Sequence, residues 1–302
     1  MTAERRAYDH EADCEAVCRF LVRTFDVKTP HGNWMQPRWE YANYHPLLAP
    51  ADRDRWGVWT LAGHIVGVAH TEHRMGLVYC QIDPDHDELR RPMLEYAIEH
   101  LASSFQVGRA VHVYIGERDA EFQEIAASLG YERMDAKHAE PTYRLQIEHP
   151  LPRIRVPEGF RLIGLDEDDD VRKVHRLMHR GFDHEGEPPE DELDDRIRKL
   201  SAPNLRKDLT VVAVSASGVF AAFCGMWYAR EHRAAYVEPV ATDPEWRRMG
   251  LGTAVVMEGV RRCARIGATV AYVGSDQPFY RSMGFMPFDS QVPWRYVVEV
   301  GG

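Results

Sequence analysis

Val237–Val256 reads VEPVATDPEWRRMGLGTAVV: an apolar strand-like run, a turn at Asp243-Pro244, two arginines, and two glycines that open a helix. The first amides of any helix lack intrahelical acceptors, and the helix start carries about half a positive charge. Gly250 and Gly252 present no side chain there, so an anion as large as a diphosphate can approach the backbone. Arg247 and Arg248 add charge at the same mouth. Taken alone, R-x-x-G-x-G equally describes a plain glycine-rich turn. Pro239 adds a second clue, because a proline inside a strand cannot donate a ladder hydrogen bond and is tolerated at a bulge or an opening edge. The sheet is therefore expected to split at Glu238-Pro239.

Outward from this stretch the pattern is mixed α/β. Strands are expected at Phe160–Leu165, Leu209–Ser215, Val219–Ala229 and Ala234–Thr242, then a helix from about Gly250 to Ile266. That helix gathers Val256, Met257, Val260, Cys263 and Ala264 on one face and Glu258, Arg261, Arg262 and Arg265 on the other, as a helix lying on a sheet does. A buried strand at Thr269–Val273, a short helix over Asp276–Met283 and a final strand at Val292–Val300 complete this half. In the other half, Gly57–Leu61, His64–Thr71, Leu77–Ile82 and Ala110–Ile115 read as strands, and Glu88–Ser103 and Ala120–Leu129 as helices. Asp83-Pro84 repeats Asp243-Pro244, and SLGY at Ser128 repeats SMGF at Ser282. The shared order of elements points to an internal duplication. IEHPLPRIRVPEG, residues 147–159, holds three prolines and no apolar periodicity, so it reads as a semi-rigid linker between domains at 1–146 and 160–302.

GSDQPFYRSMGF, Gly274–Phe285, follows the next strand and places Tyr280 five residues before Phe285. With the turn at Arg247–Gly252, it resembles the GNAT family of acetyl-CoA-dependent N-acyltransferases over about 160–300. The resemblance implies two tandem GNAT-like domains, each a mostly antiparallel twisted sheet flanked by helices. It further implies that amides of Arg248, Met249, Gly250, Leu251, Gly252 and Thr253 hold the diphosphate of coenzyme A, and that Val240, Ala241 and Thr242 pair with its pantetheine arm. The amide of Val240 would face the thioester carbonyl as an oxyanion donor. Acyl transfer to an amine needs a base and an acid on opposite sides of the reacting carbon. Glu238, on one strand face with Tyr236 and Val240, suits the base acting through water, and the Tyr280 phenol suits the acid toward the leaving thiolate. A strand carboxylate paired with an arginine and a core tyrosine are the plainer readings of the same two residues. The activity implied is direct acetyl transfer from acetyl-CoA to an amine in a ternary complex. The alternative is a non-catalytic acyl-CoA sensor or interaction protein.

Aligned by its Asp-Pro turn, the first half sets Arg90 against Gly250, Pro92 against Gly252 and Asp87 against Arg247, and Ala126 falls opposite Tyr280. A side chain, a lost amide donor and a carboxylate each disfavour a diphosphate. This half is expected to be a degenerate copy that either closes the acceptor pocket or holds the active half in shape. HGNWMQPRWEYANYHP, His31–Pro46, packs Trp34, Trp39, Tyr41, Tyr44 and His45 around Arg38, and reads either as inter-domain glue or as a wall of the acceptor site.

The composition narrows the remaining possibilities. With 37 Lys+Arg against 47 Asp+Glu the net charge is −10, which repels nucleic acid and anionic membranes. No run reaches the roughly 18 apolar residues of a membrane span, and the acidic N-terminal stretch does not read as a signal peptide, so a cytoplasmic protein is expected. Five scattered cysteines fit a reducing compartment, and Cys14 and Cys18 read as ordinary thiols on a helix. His175 and His179 lie four apart, followed by His184, but HRLMH lacks the glutamate of H-E-x-x-H and no metal site is expected. The eight carboxylates of 183–195 read as a solvated helix start or as a negative rim that draws in a cationic acceptor.

Overall fold

In the computed structural model the described residues are 2–28, 32–45 and 47–298. The chain divides into two compact units, one of Met1–Pro141 with Phe288–Gly302 and one of Thr142–Pro287.

The first unit contains strands β1 (Glu4–Ala7), β2 (Gly57–Leu61), β3 (His64–Thr71), β4 (Leu77–Ile82), β5 (Ser103–Phe105), β6 (Gly108–Gly116) and β7 (Glu132–Arg133). Its helices are α1 (His10–Thr24), α2 (Gln36–Asn43), α3 (Pro50–Arg53), α4 (Arg90–Tyr96) and α5 (Ala120–Ser128). The β1-β2-β3-β4 ladder is antiparallel, and β4 then runs parallel to β6. The second unit contains β8 (Glu140–Gln146), β9 (Phe160–Gly164), β10 (Val211–Ser215), β11 (Phe220–Ala229), β12 (Ala234–Thr242) and β13 (Val270–Val273), with helices α6 (Val171–Gly181), α7 (Leu193–Leu200), α8 (Leu251–Arg265) and α9 (Pro278–Arg281). A last strand, β14 (Met286–Val297), ends the described chain, and the expected extension to Val300 lies outside the described residues.

The closing strands do not stay with their own halves of the sequence. β8 pairs with β13 of the second unit, with Val270 opposite Gln146 and Val273 opposite Tyr143. β14 pairs with β6 of the first unit, from Gln291 opposite Gly116 to Val297 opposite Ala110. The division at residues 147–159 therefore differs from the structural one. The outer edges of β13 and β6 would otherwise present unpaired N–H and C=O groups, and the terminal strand of the other half pairs with each.

In the second unit, side-chain alternation divides the sheet cleanly. Val211, Ala213, Cys224, Met226 and Val237 pack under α8 with Val255, Val256 and Val260. Val212, Val214, Phe223 and Ala241 meet Val174, Leu177 and Met178 of α6 on the opposite face. Each fully buried Val or Leu contributes about 1.5–3 kcal/mol by removal from water, so α8 is held firmly enough to fix the position of its first turn.

Much of the aromatic run near Trp34 packs into the core of the first unit. Its ends, His31 and Pro46, lie outside the described residues, but Trp34, Trp39 and Tyr41 are buried within the core of the first unit. Trp39 meets Trp56 with ring centroids 5.4 Å apart, and the Arg38 guanidinium stacks 3.9 Å over Trp34 while pairing with Glu72 and Glu140. Pro37 opens α2 and directs these rings inward. Among the described residues, no helix is long and apolar enough to cross a membrane, and all five cysteines are free.

Candidate active site

The register between β11 and β12 shifts between the pairs Met226–Val237 and Cys224–Val240, so Glu238-Pro239 forms a bulge. The Trp227 indole N–H donates to Glu238 O at 2.9 Å and anchors it. Gly225 faces the bulge, where a Cβ would press on Glu238 O and stand 2.8 Å from Pro239 Cδ. On the other edge, β12 runs parallel to β13 only from Ala234–Val270 to Tyr236–Tyr272. The described pairing ends two residues before Glu238, where the proline implied an opening.

Beyond β12, buried Asp243 accepts from the Glu245 amide at 3.0 Å and turns the chain through Pro244–Trp246. Arg248 and Gly250 then take positive φ, 67° and 88°, which bring the chain round into α8. Asp9, Asp119 and Asp170 cap α1, α5 and α6 with their side chains, but α8 begins at Gly250 with no side-chain cap. Its first internal bond runs from Ala254 N to Gly250 O at 3.0 Å, which leaves the amides of Leu251, Gly252 and Thr253 at the helix mouth. A Cβ at Gly252 would lie 3.2 Å from both Phe279 Cζ and Thr242 Oγ1, so a glycine keeps the helix close to the strand.

These elements enclose an open cleft of about 540 Å³. Val240, Ala241, Thr242, Arg247, Arg248, Gly250, Leu251, Gly252, Thr253 and Tyr280 all line it, whereas Met249 faces an adjoining cleft and Glu238 lies on the bulge outside the lining. Arg247 is more constrained than its sequence position suggested. Its guanidinium donates to Thr242 O (3.1 Å) and Gly181 O (2.9 Å) and pairs with Asp183 (2.9 Å), which fastens α6 to the end of β12. Among the described residues Arg248 makes no ion pair or hydrogen bond, and it is exposed at the mouth.

Tyr280 is buried on α9 at the cleft wall, with its ring 4.9 Å from Phe279 and 5.8 Å from Phe285. Burial pushes its phenol above the ordinary tyrosine range, with smaller contributions from the neighbouring Cys224 and Glu238. The Cys224 thiol, fully buried beside it, is also driven up by desolvation. Lys199 on α7 was not singled out from the sequence. Burial, with the charge of Arg196 beside it, pulls its pKa down to about 7 against the opposing negative charge of Glu238. A lone lysine amid the charges of DDRIRKL carries no sequence signal of burial; only the packing of α7 reveals it.

A family model described as acetyltransferase (GNAT) family matches residues 170–285, which span this whole site. The chain has the GNAT fold in tandem, and the family model matches within its second unit. Solved structures with the same fold include a tandem GNAT protein from the clavulanic acid biosynthesis pathway, at TM-score 0.65 and 14% identity over 99% of this chain and 100% of that one. A GCN5-related N-acetyltransferase from Sphaerobacter thermophilus matches at TM-score 0.61 and 16% identity, covering 99% and 98%. Saccharomyces cerevisiae N-myristoyltransferase matches at TM-score 0.58 and 10% identity, covering 98% and 78%. No protein of curated function matches the chain by sequence.

The first GNAT unit keeps the scaffold and differs at the site. Its β3–β4 ladder runs without a shift from Gly67–Ile82 to Thr71–Val78, so it has no counterpart of the Glu238-Pro239 bulge. Arg90 starts α4 and pairs with Asp87 (3.1 Å), Asp119 (3.2 Å) and Glu121 (2.6 Å), filling the place where the other unit has Gly250. The space left there is about 90 Å³, and Ala126 is buried in α5.

The other singled-out residues of the second GNAT unit fall around its rim. His175 is buried with its Nε2 3.0 Å from Pro189 O, and His179 and His184 stack at 5.0 Å. Among the described residues, no group of three His, Cys, Asp or Glu is arranged to hold a metal. The acidic run is partly neutralised from outside, since Arg172 pairs with Glu190, Arg176 with Glu187 and Arg198 with Asp195.

Proposed function

We propose that the second GNAT unit transfers an acyl group, acetyl by default, from acyl-CoA directly to an amine bound in the same complex. One observation carries this reading: a single cleft joins the parted edge of β12, the uncapped start of α8 and the Tyr280 phenol. A diphosphate at the Leu251–Thr253 amides, with Met249 and Arg248 beside them, would send a pantetheine arm along Val240–Thr242 toward Tyr280. In this reading the amine nitrogen attacks the thioester carbon, the Val240 amide stabilises the oxyanion, and the C–S bond breaks. Tyr280 gives its proton to the leaving thiolate, and Glu238 accepts the proton shed by the amine through water. The place of the Tyr280 phenol on the cleft wall supports the acid role. Burial of the Cys224 thiol argues against a covalent acyl-enzyme and supports direct transfer. The free cysteines and the use of soluble acyl-CoA support action in the cytoplasm.

The test is thiol release from acetyl-CoA against a panel of amines, peptides and aminoglycosides. Turnover with one acceptor that falls at least about tenfold in Tyr280→Phe and Glu238→Gln, with coenzyme binding intact, is the expected result. Binding without turnover for every acceptor would leave a sensor, and no binding would remove the reading altogether.

A further inference from the structure

The segment between the two sequence halves belongs to the second unit and passes beside the cradle. Residues 152–157 form one wall of a second cleft of about 560 Å³, whose other walls are the first two turns of α8 and the end of α9. Gly250 and Thr253 line both this cleft and the one that holds Tyr280, so the two spaces meet at the helix mouth. A ligand with its diphosphate at that mouth and an arm on either side would fill both.

The chemistry of this second space is specific. Ile154, Met249, Met257 and Met283 offer it apolar surface, and Met249 remains 44% exposed as though awaiting a cover. Arg153 and Arg155 stand on the wall, both exposed, and among the described residues neither makes an ion pair or a hydrogen bond. Two guanidiniums without partners beside an apolar slot suit a flat heterocycle that carries its own phosphate.

We infer that the linker is a coenzyme clamp: Arg153 and Arg155 grip the 3′-phosphate of the donor's adenosine, while Ile154 and the three methionines hold the adenine. The inference rests on the diphosphate site proposed above and adds to it the residues that hold the far end of the coenzyme.

Calorimetry of the intact protein with coenzyme A and with 3′-dephospho-coenzyme A separates the cases. The expected result is a preference of roughly ten- to hundredfold for coenzyme A, the size of a charge-assisted hydrogen bond or two, which Arg153→Ala with Arg155→Ala abolishes while dephospho-coenzyme binding is unchanged. Equal binding of the two ligands by the unaltered protein, or a preference that survives the double substitution, overturns the clamp and spares the diphosphate site. Loss of both ligands in the double variant alone overturns it as well, because the arginines would then be holding the shape of the segment. Failure of the unaltered protein to bind either ligand would overturn the diphosphate site itself.

Discussion

Arg180 donates from Nε and Nη2 to the buried carboxylate of Asp243, at 2.6 and 3.0 Å, and so ties the end of α6 to the turn that leads into α8. Burial opposes charge on Asp243, but the Arg180 bonds and the Glu245 amide outweigh it and hold the carboxyl below its ordinary range. In the first unit, Arg23 of α1 pairs with buried Asp83 in the same place and also donates to Ile65 O at 3.1 Å. Asp9 and Asp170 begin the two Arg-bearing helices as matching caps. One device thus occurs twice, and only in the second unit does it lead to a cradle of free amides.

Asp243→Ala removes the acceptor of both Arg180 and the Glu245 amide, and should cost about 3 kcal/mol, as breaking a buried pair does. Because the turn feeds the cradle, coenzyme affinity should fall at least about tenfold at temperatures where the variant is folded. Asp83→Ala is the control, with similar loss of stability by urea unfolding and coenzyme affinity within roughly twofold of the parent. Equal effects on affinity would detach Asp243 from the site.

Gly250 and Gly252 should fail on replacement for different reasons. Gly250 has φ of 88° and open space around it, so Gly250→Ala should cost about 1 kcal/mol of backbone strain and weaken coenzyme binding moderately. Gly252 has ordinary φ but no room toward Phe279 and Thr242. Gly252→Val should lift the first turn of α8 from the strand and reduce binding by more than about a hundredfold, with a melting temperature within a few degrees of the parent. Titration calorimetry and thermal melts distinguish the two patterns.

Much of this was legible in the sequence because the decisive features are local. Gly57–Leu61, His64–Thr71, Leu77–Ile82 and Ala234–Thr242 have the bounds that period-two alternation indicated. The cradle also lies in one unbroken stretch, so the residues lining the cleft could be named from the motif. What was missed depends on tertiary choice. The alternation in β8 does not specify which sheet edge it joins, and β14 with its Pro293 gives no hint that it closes the first unit. Lys199 and Arg153 were not singled out, since burial and proximity to a cleft come from elements far away in the chain.

Lys199 makes stability depend on pH in a defined window. The unfolded side chain keeps its proton to the ordinary lysine value of about 10.4, while the folded one releases it at about 7. Between those values the unfolded state binds more protons, so stability rises with pH and is insensitive to this group below about 7. Lys199→Met should flatten the rise measured by urea unfolding at pH 7, 8 and 9, by up to roughly 1 kcal/mol per pH unit. Parallel slopes for the two proteins would mean that Lys199 stays charged when folded.

The general acid should leave its own mark on the pH profile. In the mechanism proposed above, Tyr280 acts in its protonated form, and its pKa is shifted upward, so activity through this group should be lost only as pH rises past the ordinary tyrosine range. The basic limb of kcat/KM should therefore remain flat to pH 9 or beyond when measured with an acceptor already unprotonated there. A limb falling with an apparent pKa near 8 would assign the acid to another group.

Each chain should bind one coenzyme. In the first unit, Arg90 is held by three carboxylates and stands 5.8 Å over the Phe122 ring, so a diphosphate would have to displace it and then meet Asp87, Asp119 and Glu121. Pro92 further removes an amide from the first turn of α4. Arg90→Gly would leave those carboxylates unpaired without creating a donor, so it should destabilise the unit by about 1 kcal/mol or less and still leave the calorimetric stoichiometry at one. Gly252→Val in the second unit should instead take the stoichiometry to zero under the same conditions. A residual site in that variant would show that the first unit accepts the coenzyme, and that the Arg90 cluster opens to admit it.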